Sequence, residues 1–243
     1  MKKLFFILFT AALIAVSTNV ASAATVTPGW DAAADLSIAS RFRNVQDLNA
    51  QSLDGWELAL GAVSGFPTGA DNVDFGYNPH WGNSNHFEIA YTKSDNQVSV
   101  SMDVDPSTSN GFEYSLTYDN FTPSSLNYIQ FEVVSRDTTG SVWLTDLKLN
   151  DEDLGSYGSS NPNDGWHTWN ITGEDWTNGF TIMGTMNIDG PFAKLNSEQN
   201  KIDFKFGSAP FAVPLPAAFW LLGPGLLGMV CLRSRSTTSS NPS

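Results

Sequence analysis

The sequence has a single cysteine, only 12 basic residues, three histidines and no long run of like charge. Each scarcity excludes something. Cys231 lies close to the C-terminus and has no partner in the chain, so the fold cannot rest on disulfides and must rest on a packed core. From residue 24 to residue 232 there are eight basic residues against 25 acidic ones, a formal balance of −17. Such a surface repels phosphate backbones and anionic lipid, which removes nucleic acid from the expected partners. His80, His86 and His167 lack the close spacing of a strand or helix zinc site. No serine stands in a nucleophile elbow, since "GSYGS" does not match that pattern.

Charge is also missing between Lys205 and Arg233. That gap contains an apolar run that is either a last core element or a membrane span, and length and flanking charge favour the span. Pro210, Pro214 and Pro216 keep its approach extended, because proline lacks the amide hydrogen and clashes inside a helix, although Pro216 is tolerable in a first turn. A helix over 215–232 reaches about 27 Å, slightly under the hydrocarbon core of about 30 Å. Pro224 would kink it, which membrane helices tolerate. Arg233 and Arg235 then fall where cytoplasmic cations are expected. The N-terminus has the complementary pattern: Lys2 and Lys3, an apolar stretch from Leu4 to Val16, then Ala21-Ser22-Ala23. This predicts a signal peptide over 1–23 cut by signal peptidase between Ala23 and Ala24. The expected organisation is therefore a signal peptide (1–23), a folded ectodomain (24–207), an extended linker (208–214), a transmembrane helix (215–232) and a basic, polar cytoplasmic tail (233–243). The protein is expected outside the cytoplasmic membrane, held briefly by its tail.

What the ectodomain has in quantity is alternation. Phe87, Ile89 and Tyr91 alternate with polar or small residues, "KSDNQ" follows, and Val98, Val100, Met102 and Val104 alternate again. This reads as a hairpin buried on one face. Phe112, Tyr114, Leu116 and Tyr118 continue the period, as do Ile129, Phe131 and Val133, then Val142 and Leu144, and finally Ile202, Phe204 and Phe206. Turn residues at "DPSTSNG", "RDTTG", "NPNDG" and "NIDG" separate the runs. The predicted fold is all-β, an antiparallel β-sandwich of jelly-roll type. One short helix is expected between Asp31 and Gln51, where Ile38, Phe42, Val45 and Leu48 fall at helical spacing.

Three chemistries are open to such a frame. Paired carboxylates about 5 to 5.5 Å apart serve retaining sugar hydrolases, and Asp103 and Asp105 have the alternate spacing that brings two carboxylates to one strand face. They precede a turn, however, and read first as a solvated strand end. The glutamate-x-aspartate-x-x-glutamate pattern of sandwich-fold glucan hydrolases is absent, and no catalytic residue is assigned. The segment "LNDEDLGSYGSSNPNDG" reads as a loop rich in oxygen ligands, with Asp151, Asp153 and Asp164 as calcium candidates. No other metal or cofactor is expected. Trp166, Trp169 and Trp176, set among Asn163, Asp164, Asn170 and Glu174, form the candidate carbohydrate surface, with Tyr77 and Trp81 as a weaker second group.

The tail "VPLPAAFWLLGPGLLGMVCLRSR" resembles the PEP-CTERM sorting signal in its valine-proline-leucine-proline-alanine variant. The short motif corresponds to Val213, Pro214, Leu215, Pro216 and Ala217, the hydrophobic helix to 218–232, and the basic end to Arg233 and Arg235. Ser234 interrupts that end and "STTSSNPS" extends it. The resemblance implies processing by an exosortase, a membrane transpeptidase of Gram-negative bacteria, and delivery to the cell surface or an exopolysaccharide matrix. Within the ectodomain, "WELALG", "FEIAYTKSDNQVSV", "LTDLKLND", "FTIMGTMNIDG" and "IDFKFG" are similar to choice-of-anchor domains, the W type among them, for which no activity is assigned. The expected function is that of a non-catalytic surface or biofilm-matrix protein, partnered by signal peptidase, the exosortase and extracellular polysaccharide. The alternatives are a lectin-like binder using Trp166 to Trp176 and a divergent polysaccharide hydrolase.

Overall fold

In the computed structural model the described residues are 23–43, 58–64, 72–73, 82–104, 111–173, 175–190 and 200–210. They form thirteen strands and no helix: β1 (Thr25–Pro28), β2 (Asp35–Arg43), β3 (Leu58–Ala62), β4 (Asn72–Val73), β5 (Ser84–Thr92), β6 (Gln97–Asp103), β7 (Tyr114–Tyr118), β8 (Tyr128–Ser135), β9 (Ser141–Leu149), β10 (Glu152–Tyr157), β11 (Gly165–Thr172), β12 (Gly179–Asp189) and β13 (Asn200–Ser208). Every pairing is antiparallel. One sheet has seven strands in the order β1-β11-β8-β13-β2-β3-β4, the other six in the order β10-β9-β12-β5-β6-β7. The all-β, two-sheet architecture of a β-sandwich follows from the alternation, because each strand has one apolar face to bury.

The core is aromatic where the sheets meet. Phe42 on β2 and Phe204 on β13 approach Phe87 of the facing sheet with ring centroids 5.3 and 5.5 Å apart. Phe131 stacks on Phe204 at 5.7 Å, and Phe180 on Phe206 at 5.1 Å. Such pairs contribute about 0.5–1.5 kcal/mol each beyond their buried area. Gly184 faces Phe87 in register, and a Cβ there would lie 3.1 Å from its ring, so the glycine leaves room for the aromatic. The turns follow the expected chemistry. Asn96 takes φ +50° in "KSDNQ", Asn163 and Gly165 take +58° and +109° in "NPNDG", and Asp137 Oδ1 accepts from Thr139 N and Gly140 N in "RDTTG".

Three expectations are corrected. Residues 35–43 are strand β2, not helix. Ile38 and Phe42 are four apart, a spacing that lies on one face of a strand as well as of a helix, and pairing with both β13 and β3 decides for the strand. Val45 and Leu48 lie outside the described residues. Glu152 and Asp153 do not sit in a loop but open strand β10, which folds back on β9 through Asn150 and Asp151, both at positive φ. Asn187 to Asp189 of "NIDG" still belong to β12. The chain divides into two compact units between Ala209 and Pro210. Among the described residues no helix is long and apolar enough to cross a membrane. The segments 1–22 and 211–243, with Val213 to Ala217, the helix over 215–232, Arg233 and Arg235, lie outside them.

Candidate functional site

The outer face of the seven-stranded sheet is polar and charged, and on its central strands β2, β13 and β8 it is largely buried. Its composition follows from the strand period: Ile202, Phe204 and Phe206 point into the core, so Lys201, Asp203 and Lys205 point out. By the same alternation β2 presents Ala39, Arg41 and Arg43, β8 presents Tyr128, Gln130, Glu132 and Val134, and β11 presents Trp166, Thr168 and Asn170. Register sets these in three rows: Arg43-Lys201-Val134-Trp166, Arg41-Asp203-Glu132-Thr168, and Ala39-Lys205-Gln130-Asn170. Four of the eight basic residues between positions 24 and 232 therefore share one face of an otherwise acidic chain.

Asp203 and Glu132 stand directly opposite one another, an arrangement that like charges resist unless cations join them. Arg41 supplies a two-pronged contact to Asp203, Nε to Oδ1 at 2.6 Å and Nη2 to Oδ2 at 2.9 Å, and Lys201 Nζ lies 3.0 Å from Oδ2. Lys205 Nζ donates to Glu132 Oε1 at 2.7 Å across the diagonal. The Asp203 side chain is 1% exposed and that of Glu132 2%. Charges this deep require partners, because desolvation otherwise costs several kcal/mol per ion. A second network adjoins them. Tyr128 donates to Asn170 Oδ1 at 2.5 Å, and Asn170 Nδ2 donates to the Gly29 carbonyl at 2.8 Å. Burial pushes the Tyr128 hydroxyl up to about 12; Asp31 adds to the shift, and a hydrogen bond with Gln130 opposes it. Gln130 is fully buried and, among the described residues, no donor reaches its Oε1, a deficit worth about 1–3 kcal/mol.

Two tryptophans flank this floor. Trp30 is 61% exposed and Lys205 Nζ lies 5.3 Å from its ring centroid; Trp166 is 54% exposed with Lys201 Nζ at 5.2 Å. The lysines are four residues apart on β13, so the rings mark positions about 13 Å apart along the strand. Exposed aromatic faces beside amide, carboxylate and ammonium groups can stack on the apolar side of a ring and hydrogen-bond its hydroxyls.

The tryptophans singled out in the sequence separate. Trp166 lies on this outer face. Trp169, three positions on, points inward and stacks on Phe131 at 5.3 Å and against Tyr157 at 5.1 Å. Trp176 is a core residue, 2% exposed, whose amide donates to the Leu126 carbonyl. Trp30, which sequence spacing did not single out, takes the second exposed position. Asp103 ends β6 opposite His86 on β5. Asp105, Tyr77, His80, Trp81 and Glu174 lie outside the described residues. Asp164 contacts His167 Nε2 at 3.3 Å and precedes β11, whereas Asp151 lies in the β9–β10 turn and Asp153 on β10 itself. Glu152 beside them accepts the Ala24 amide at 3.2 Å, next to the end of β11 remote from Asp164. No group of three or more metal-ligating side chains occurs among the described residues, and Asp151, Asp153 and Asp164 do not converge. The chain matches no protein-family model, and no curated protein matches it.

Proposed function

We propose that the chain is an exported, non-catalytic protein of the cell surface or an exopolysaccharide matrix. In this reading a jelly-roll-like sandwich is released by signal peptidase between Ala23 and Ala24, and an exosortase acts at Val213 to Ala217. One observation supports the reading most directly: the last strand among the described residues ends at Ser208 and the first compact unit at Ala209, four residues before Val213. A processing enzyme could therefore cut after the strand-built body without breaking a ladder hydrogen bond. The test is the intact mass of the protein recovered from cells with and without their exosortase. Loss of 1–23 in both, and of the segment after the motif only when the enzyme is present, is the expected result. Full-length chains confined to the cytosol would overturn the proposal.

A lectin-like role within that matrix is favoured by a specific feature, the half-exposed Trp30 and Trp166 over Lys205 and Lys201. The binding surface is then Trp30 with Trp166, rather than the segment from Trp166 to Trp176. Glycan-array signal lost in Trp30→Ala and in Trp166→Ala is the expected outcome. Signal unchanged in both variants would remove this role and leave the sorting proposal standing.

A further inference from the structure

We propose that the opposite face of the sandwich, the outer side of the six-stranded sheet, carries a separate groove that binds a neutral saccharide. A cavity of about 350 Å³ opens there. Its floor is a register row in which Asp103 on β6 faces His86 on β5, and His86 faces Thr185 on β12. The row continues to Thr145 on β9, where the strand is irregular. Two steps along β12, from Met183 to Thr185, are matched by three along β9, from Lys148 back to Thr145. The extra residue is a β-bulge, and bulges re-aim side chains. Asp146 occupies it at φ +56°, a conformation costly for a residue with a side chain, and it lines the cavity beside Lys148 while Leu147 turns into the core.

The remaining wall is Phe112, 46% exposed. Among the described residues only Trp30, Phe112 and Trp166 are large apolar side chains left exposed, and two of these flank the other sheet. Phe112 therefore marks a second aromatic surface set over a polar floor. The chemistry of the lining selects the ligand. Phe112 and Met183 offer apolar contact for the carbon–hydrogen face of a pyranose. Asp103 and Asp146 accept from hydroxyls, while Lys148 and Thr185 donate to them. Two carboxylates against one lysine disfavour sulfate, phosphate and uronate, so the ring is uncharged. The groove shares no residue with the Trp30 and Trp166 face and does not depend on its function. A domain with both would hold two polysaccharide chains on opposite sides.

The test uses the purified exported chain titrated with cellohexaose, laminarihexaose and mannohexaose, with an oligogalacturonate as the charged comparison. Binding is followed by calorimetry and by amide chemical shifts. The expected result is that at least one neutral hexasaccharide shifts amides of β5, β6, β9 and β12. Its affinity should fall about tenfold or more in Phe112→Ala, which removes the apolar stacking ring, and in Asp146→Asn, where that factor is the worth of one charge-assisted hydrogen bond. Both variants should keep the parent melting temperature within a few degrees, and Trp166→Ala should bind at this face as the parent does. Asp146→Gly, which relieves the positive φ, separates lost contact from altered backbone: it must weaken binding while raising stability. Three results would overturn the proposal. These are no shift on this sheet with any neutral probe, affinity unchanged in both Phe112→Ala and Asp146→Asn, or tighter binding of the oligogalacturonate at the same amides.

Discussion

Asp203 is the position at which the charged face can be tested most sharply. Its carboxylate is 1% exposed and takes two bonds from Arg41 and one contact from Lys201. Replacing it with alanine removes all three and leaves two cations facing a vacated, dry position. Breaking a buried ion pair in this way costs about 3–5 kcal/mol, against about 0–1 kcal/mol for an exposed pair. For a body of this size each kcal/mol lowers the melting temperature by about 2–4 °C, so Asp203→Ala should lose about 6–20 °C. Urea denaturation should show a lower midpoint with an unchanged slope. Asp203→Leu combined with Arg41→Met should lose less than the sum of the two single losses, because no guanidinium then faces the gap. A loss under about 1 kcal/mol for Asp203→Ala, or strict additivity in the double variant, would refute the reasoning that this network is buried and coupled.

Alkaline pH should destabilise the protein. Burial raises the hydroxyls of Tyr91, Tyr114, Tyr128 and Tyr157, that of Tyr128 to about 12. The folded state therefore keeps protons that the unfolded chain releases near pH 10. Stability present below pH 10 is lost as pH rises toward 12, on the order of 3 kcal/mol for Tyr128, and urea midpoints that stay level over that window would contradict this. The three tryptophans close together in sequence should respond unequally: Trp176→Ala should cost about 3–5 kcal/mol and Trp169→Ala a comparable amount, while Trp166→Ala should cost about 1 kcal/mol or less, measured by chemical denaturation. Cleavage after Ala23 would turn the Ala24 amide nitrogen, 3.2 Å from Glu152 Oε2, into an ammonium tying β1 to β10 across the sheet edges. Glu152→Gln should then lower the urea midpoint of a chain beginning at Ala24 more than that of its N-acetylated form, which keeps the neutral amide donor.

How much of this was legible in the sequence depended on how many faces of a strand are buried. β5, β6 and the inward residues of β13 were readable because strict alternation of apolar and polar residues specifies both the strand and its buried side. β2 was not, because Ile38 and Phe42 satisfy the helical and the extended period equally, and only the ladders to β13 and β3 distinguish them. β10 was hidden by its turn-like composition, since hydrogen bonds to β9 rather than side-chain preference make it a strand.

The candidate sites divide along the same line. Residue type and spacing alone determined the absence of disulfides in the body, the acidic balance, the export and sorting expectations and the all-β class, since each depends on composition or on contacts between near neighbours in the chain. Tertiary structure alone decided that Trp166 is exposed while Trp169 and Trp176 pack inward, that Trp30 joins Trp166, and that Arg41 meets Asp203 across 162 positions of sequence. Alternation states which way a side chain points; only the order and register of strands far apart in the chain state which side chains it meets there.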